Sequence, residues 1–264
     1  MRDAPATRLP ASRIRSVEEA CLNGWPALRG IVFDGWLLRL SEGYTRRSNS
    51  IHLLSQGSRS PDEKVDSCER IYAAHRLPTV FCLTSTTPPS VGAVLDERGY
   101  GPPEDETCVL YQDIGGSKPL CSSHVELTEG LPAEAWLGTL ARLQGQDEKA
   151  RTTHRRILGA LAVPAVFASA SLEGRLAAVA FGAVHDGIVC INSVATDPDF
   201  RRRGLAQRTI SAILSWASDR CGATGACVPV VAANTPAVGL YRGLGFNKEA
   251  YRYHYRRRSN GAEI

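Results

Sequence analysis

The sequence predicts an α/β protein with a mixed sheet, built from two related units in tandem. Three observations carry that reading. Apolar runs of strand length alternate with amphipathic runs of helix length along the 264 residues. Residues 188–206, IVCINSVATDPDFRRRGLA, pass from an apolar strand through a basic turn into a helix. Leu95-Asp96-Glu97-Arg98-Gly99-Tyr100 ahead of one strand mirrors Tyr241-Arg242-Gly243-Leu244-Gly245-Phe246 ahead of another, so one order of elements recurs.

Hydrophobic residues make up 43% of the chain and charged ones 22%, which suits a protein that buries a core. The length suits one large domain or two small ones. No apolar run approaches the roughly 18 residues of a membrane span, so no membrane partner is expected. The N-terminus, MRDAPATRLPASRIRS, lacks the apolar core of a secretory signal and reads as a frayed tail or an imitation of a transit peptide. The net charge of +4 is local: Arg201 to Arg203 and Arg256 to Arg258 contribute six positive charges, which argues against a nucleic-acid partner. None of the eight cysteines forms C-x-x-C, and most sit in apolar runs. Free, buried thiols in a reducing cytoplasm are expected. The six histidines show no metal-ligand spacing, and no metal is predicted.

Taken in order, Ser16-Val17-Glu18-Glu19 reads as a capping box that opens a helix to about Trp25-Pro26. Residues 35–40, GWLLRL, form a strand, 41–44 turn it back, and 46–53 form the next strand. Ser60-Pro61-Asp62-Glu63 caps a helix to about His75, with Val65, Cys68 and Tyr72 on one face. Residues 79–83 are a short buried strand, 89–97 a short helix ending at Gly99, and 107–113 a closing strand. Glu104-Asp105-Glu106 reads as a solvated loop. Domains are expected at 1–114 and 124–264, with a linker over 115–123 that contains GGSKP. In the second half, 132–144 and 152–161 are helices, and 165–172 and 175–185 form a hairpin through Glu173-Gly174. Asp186-Gly187 turns into the strand 188–196. A long helix over 204–220 carries an apolar stripe of Ile210, Ile213, Leu214 and Ala217. Residues 227–231 are a strand, 236–242 a helix and 248–256 the last strand.

The strand, basic turn and helix N-terminus of 188–206 favour an anion. The first N–H groups of a helix lack intrahelical partners, and its dipole adds about half a positive charge there. Gly204 and Ala206 let the backbone approach a phosphate closely. Neither the Walker loop nor the dinucleotide G-x-G-x-x-G is present. Arg201 to Ala206 instead reads R-x-x-G-x-A, and residues 234–246 read N-x-x-A-x-x-L-Y-x-x-x-G-F.

These two segments, in this order, resemble the GNAT superfamily of acyl-CoA-dependent N-acetyltransferases over roughly 125–257. The N-terminal half resembles bacterial tandem GNAT proteins through Asp34-Gly35-Trp36-Leu37-Leu38-Arg39 and Gly43-Tyr44-Thr45-Arg46-Arg47. The resemblance implies a catalytic C-terminal unit and acetyl-CoA as the acyl donor. It implies that Arg201, Arg202, Arg203, Gly204, Leu205 and Ala206 hold the pyrophosphate. Val194, Ala195 and Thr196 would pair with the pantetheine arm and supply an oxyanion donor. Asn234, Ala237 and Tyr241 would line the same arm, with Tyr241 as general acid. A phenol near pKa ~10 protonates a thiolate near ~8.5 only with help from its surroundings.

The N-terminal unit is expected to be degenerate. Its candidate loop, 55–60, lacks R-x-x-G-x-A, and its helix opens with Asp62-Glu63, which would repel a pyrophosphate. The general base stays open between a water held by Asn192 or Ser193 and the imidazole of His254. Trp36, Tyr44, Arg46, Arg47 and Tyr253 are candidates for an acceptor pocket; the alternative is a strand with exposed arginines. A covalent route through Cys190 is disfavoured, because no base adjoins it. The expected reaction is acetyl transfer to a primary amine of a small molecule, in a monomer or homodimer. A CoA-binding sensor and a protein N-acetyltransferase are the alternatives.

Overall fold

A computed structural model describes residues 9–115 and 125–258. Residues 1–8 of the expected tail, Cys121 and all of the linker but Gly115 lie outside the described residues; the tail's second half, from Ala11, is helix rather than frayed chain. In chain order the elements are α1 (Ala11–Asn23), β1 (Arg29–Phe33), β2 (Trp36–Leu40), β3 (Ile51–Leu53), α2 (Pro61–Ala74), β4 (Val80–Thr84), α3 (Pro89–Glu97) and β5 (Glu104–Asp113). They continue with β6 (Val125–Glu129), α4 (Glu134–Gln144), α5 (Glu148–Gly159), β7 (Ala165–Leu172), β8 (Arg175–His185), β9 (Ile188–Thr196), α6 (Leu205–Cys221), β10 (Gly225–Val231), α7 (Thr235–Gly243) and β11 (Lys248–Arg257).

The chain divides into two compact units. The larger takes Met1–Pro26, Cys108–Val230 and Asn234–Ala250; the smaller takes Ala27–Thr107, Val231–Ala233 and Tyr251–Ile264. The division falls inside β5 and β11, so it differs from the sequential boundary expected at 115–123.

In the smaller unit β1, β2 and β3 form an antiparallel meander, and β3 then pairs in parallel with β4 across α2. β11 lies antiparallel to β4, with Tyr255 opposite Cys82. The core packs Trp36, Leu38, Ile51, Val65, Tyr72 and Phe81 together. α2 starts as expected: the Ser60 hydroxyl accepts the Glu63 N–H at 3.3 Å, and the Glu63 carboxylate accepts the Ser60 N–H at 3.1 Å.

The larger unit repeats the order. β6, β7, β8 and β9 form an antiparallel meander, and β9 then pairs in parallel with β10 across α6. Its aromatic core sets Trp136 edge-on to Phe167 at 5.2 Å and stacks Phe167 on Phe181 at 5.3 Å. The Trp136 indole N–H donates to the Ala168 carbonyl at 3.1 Å.

Several local expectations are corrected. α1 begins at Ala11, and Ser16 lies inside it with its hydroxyl donating to the Ser12 carbonyl, so Ser16 opens no helix. The strand expected over 46–53 is a single 3₁₀ turn, Arg46–Ser48, followed by the short β3. The Asn49 side chain forces that turn: its Oδ1 accepts the Ser41 and Gly43 N–H groups, and its Nδ2 donates to the Tyr44 and Thr45 carbonyls. Glu104-Asp105-Glu106 belongs to β5 rather than a loop. Its carboxylates meet Arg46, Arg252 and Arg257, including Arg257 to Glu104 at 2.9 Å and Arg252 to Glu106 at 2.8 Å. β1 and β6 had no counterpart in the sequence reading.

Candidate functional site

The site grows from a bulge. β9 aligns Asn192 with Phe181 of β8 but Ala195 with Val179, so β9 carries one residue more than its partner. The excess lies at Ser193 and Val194, and Ser193 has φ +50°. A bulge bends the strand that carries it. On its other edge β9 pairs with β10 only through Ile188, Val189 and Cys190. Beyond Cys190 the parallel strands separate, and Val194, Ala195 and Thr196 are half-buried with no strand partner on the β10 side among the described residues. Parallel sheets take ligands outside the carboxyl ends of their strands, where such gaps open.

Asp197 pins the end of β9. Its N–H donates to the Ala177 carbonyl at 2.8 Å. Its carboxylate accepts the Asp199 N–H at 3.2 Å and meets Arg142 at 2.9 Å and Arg175 at 3.4 Å. Burial works to raise this carboxyl, but the Asp199 N–H and the Arg142 guanidinium hold it below the usual carboxylate range. Both arginines lie far from Asp197 in the chain.

A 3₁₀ turn, Pro198–Phe200, leads to the basic loop. Arg202 has φ +63° and Gly204 φ +76°. Left-handed residues in such loops turn successive N–H groups towards one concavity. None of the N–H groups from Arg202 to Gln207 has an acceptor among the described residues; the first bond of α6 runs from the Arg208 N–H to the Gly204 carbonyl. A Cβ added at Gly204 would meet nothing within 4 Å among the described residues, so they leave the space above the loop open. The Leu205 side chain is buried against Ala170, Ala177, Ala178 and Phe200, which fixes the helix start while leaving its N–H groups outward. Arg203 pairs with Glu173 at 2.7 Å and lies 5.5 Å over the Phe200 ring, whereas Arg201 and Arg202 are exposed.

The smaller unit presents the opposite chemistry at the matching helix. The Asp34 carboxylate accepts the Ser58 N–H at 2.9 and 3.0 Å, the Ser58 hydroxyl at 3.0 Å and the Arg59 N–H at 2.9 Å. Those N–H bonds hold its carboxyl far below the usual range. The Lys64 ammonium backs it, 3.3 Å from the carboxylate and 4.3 Å over the Trp36 ring. A side-chain anion therefore already occupies this loop.

Asn234 caps α7: its Oδ1 accepts the Ala237 N–H at 3.2 Å. Ala237 is half-buried behind it. Tyr241, on the same helix, is buried and edge-on to Phe246 at 6.0 Å. Its phenol has no hydrogen-bond partner among the described residues, and burial pushes its pKa up to about 12.

The other candidates lie elsewhere. Asn192 is buried, with its Nδ2 donating to the Gly24 and Cys190 carbonyls at 3.3 and 3.1 Å, so its side chain faces α1. Ser193 is half-buried at the bulge. His254 sits on β11 in the smaller unit, where burial and then Arg256 lower its pKa. Trp36 is a core residue, edge-on to Phe81 at 5.9 Å, and this corrects its assignment to an acceptor pocket. Tyr44 holds the Asn49 turn through its carbonyl. Arg46 is committed to Glu104 and Asp105. Tyr253 is buried between Tyr251 and Tyr255, at ring distances of 6.3 and 5.6 Å.

A family model described as "Probable histone acetyltransferase Rv0428c C-terminal" matches residues 11–257. This chain belongs to that family. It is a GNAT-type N-acetyltransferase, as the two segments around Gly204 and Tyr241 imply. The acetyltransferase is 24% identical to "Uncharacterized N-acetyltransferase YobR" of Bacillus subtilis over 245 residues, 92% of this chain and 98% of that one. It is 33% identical over 91 residues to the ribosomal protein bS18-alanine N-acetyltransferase of Salmonella typhimurium, a match covering 34% of this chain and 61% of that one. A GCN5-related N-acetyltransferase from Kribbella flavida shares the fold with a TM-score of 0.67 at 17% identity, covering 97% of this chain and 98% of the other. A tandem GNAT protein from the clavulanic acid biosynthesis pathway does so at 0.62 and 12% identity, covering 81% and 76%. Among the described residues no helix is long and apolar enough to cross a membrane.

Proposed function

We propose that the chain transfers an acetyl group from acetyl-CoA to a primary amine of a small molecule, an amino acid or amine metabolite, in a direct ternary complex. The observation that carries this reading is the run of N–H groups from Arg202 to Gln207 without acceptors, opening beside a strand freed by its own bulge. Acetyl-CoA supplies the activated acyl group as a thioester. The N–H groups of Arg202 to Gln207 and the α6 dipole hold its pyrophosphate. Arg201 and Arg202 add charge at the rim. The open edge at Val194, Ala195 and Thr196 supplies backbone groups for the pantetheine arm and an N–H for the developing oxyanion. Tyr241 keeps its proton at neutral pH and holds it at the phenolic oxygen, ready for the departing sulfur. Ser193, at the bulge, holds the water that receives the amine proton. Cys190 is fully buried, which favours direct transfer over a cysteine relay.

We infer further that the smaller unit does not bind acetyl-CoA, because Asp34 fills the loop that would hold the phosphates.

The test is release of CoA thiol from acetyl-CoA over a panel of amino acids, amines and peptides with N-terminal alanine, with Tyr241→Phe alongside. Release with a small amine that collapses in the variant supports the proposal. Release with peptides alone moves the acceptor to proteins. Binding of acetyl-CoA without release for any acceptor replaces the enzyme mechanism with a sensor.

A further inference from the structure

Cys21 of α1, Cys190 of β9 and Cys227 of β10 meet inside the larger unit. Cys21 Sγ lies 3.7 Å from Cys227 Sγ and 3.8 Å from Cys190 Sγ, and all three sulfurs lie within 4.8 Å of one another. The fold dictates the meeting. The parallel register sets Cys190 beside Cys227, and α1 buries Val17, Ala20 and Cys21 on the sheet. A point equidistant from three sulfurs so spaced is about 2.2–2.4 Å from each, close to the ~2.3 Å of a zinc–thiolate bond. The trio is thus dimensioned for one thiophilic ion.

Ligand count and charge choose the ion. Among the described residues no histidine, aspartate or glutamate completes the group. Asn192 turns an amide N–H, a donor rather than a ligand, to Cys190 Sγ at 3.5 Å. Cys190 and Cys227 are wholly buried and Cys21 nearly so, and Cys21 lies in the last turn of α1, at the negative end of its dipole. A net negative complex is costly there. Three thiolates leave two negative charges with monovalent copper, one with divalent zinc and none with a trivalent centre. A trivalent metalloid also needs only three ligands, since its lone pair fills the fourth direction.

We propose that Cys21, Cys190 and Cys227 form a binding site for a trivalent thiophilic metalloid, presented as arsenous acid. The step balances without oxidant or reductant. Three As–O bonds break and three As–S bonds form. Each thiol proton leaves with one hydroxide as water, and arsenic remains trivalent. The bound centre would cross-link α1, β9 and β10 through a neutral bridge, on the strand that carries Asn192 to Thr196.

The experiment titrates the full chain with arsenite and follows intact mass and arsenic-edge X-ray absorption. One adduct per chain that has lost three protons, with three sulfurs around arsenic, is the expected result. Cys21→Ser and Cys227→Ala should each weaken uptake at least tenfold, while Cys221→Ser, a half-buried thiol outside the trio, should not. No adduct, fewer than three sulfurs around arsenic in the unmodified chain, uptake that survives Cys21→Ser, or preference for monovalent copper or zinc over arsenite would each overturn the assignment.

Discussion

Tyr241 is separated from a packing residue by one atom. Tyr241→Phe keeps the edge-on contact with Phe246 and removes only the hydroxyl. Stability should hold within about 0.5 kcal/mol, while kcat should fall by about 10²–10³ with acetyl-CoA affinity unchanged. Steady-state rates, calorimetric binding and urea unfolding check the three together. Glu18 gives a second prediction. Burial, opposed by Arg15 and reinforced by Glu19, raises its carboxyl from 4.5 to about 7. The fold therefore prefers the protonated form. That stabilisation is full below pH 4.5 and is lost as pH rises through 7. Between pH 5 and 8 the chain should lose about 2.5 kcal/mol relative to Glu18→Gln, measured by urea unfolding at both values. At this scale, sequence spacing exposed Gly204, Asn234 and Tyr241 because each belongs to a local pattern. It could not expose Asp197 with Arg142 and Arg175, or Cys21 with Cys190 and Cys227, because those groups are joined only by strand register.

Two glycines bound α6, and they separate conformation from ligand space. Gly204 has φ +76° and Gly222 φ +65°, and an added Cβ meets nothing within 4 Å at either. Alanine at either position should cost about 1 kcal/mol, the left-handed penalty. Only Gly204→Ala puts a methyl into the phosphate space, so it alone should weaken acetyl-CoA binding, by tenfold or more in calorimetry. Equal weakening by both variants would remove the loop from the binding site. Elements with a strong period or a sharp start were legible: β7, β8 and β9 by their apolar runs, and α2 by Ser60 and Glu63. β1 and β6 escaped because neither strand has a buried residue. The false start at Ser16 shows that a capping pattern stops no helix already running from Ala11. The broken strand over 46–53 shows one asparagine side chain overriding strand propensity by serving the backbone at Ser41, Gly43, Tyr44 and Thr45.

Across the whole molecule the same order of strands and helices occurs twice, but one helix N-terminus is open and the other is filled by Asp34. Calorimetry should therefore find one acetyl-CoA per chain, and saturation at 100 times Kd should add about 2.7 kcal/mol to stability. Two bound molecules would refute the account of the smaller unit. The repeat was legible from Leu95–Tyr100 and Tyr241–Phe246. The partition was not, because Met1–Pro26 joins the larger unit and Tyr251–Ile264 the smaller. A fragment of residues 124–264 lacks α1, which covers Cys190 and Asn192, and it should not give a cooperative melt by circular dichroism.

That partition also sets a timetable. α1 leaves the ribosome well before β9 and β10, and its seat on them is complete only some 200 residues later. At about 5–20 residues per second, its apolar face waits roughly 10–40 s in the nascent chain. Val17, Ala20 and Cys21 are the residues a chaperone would meet during that interval. Slowing translation between α1 and β10 should lower the yield of folded enzyme without changing a single native contact.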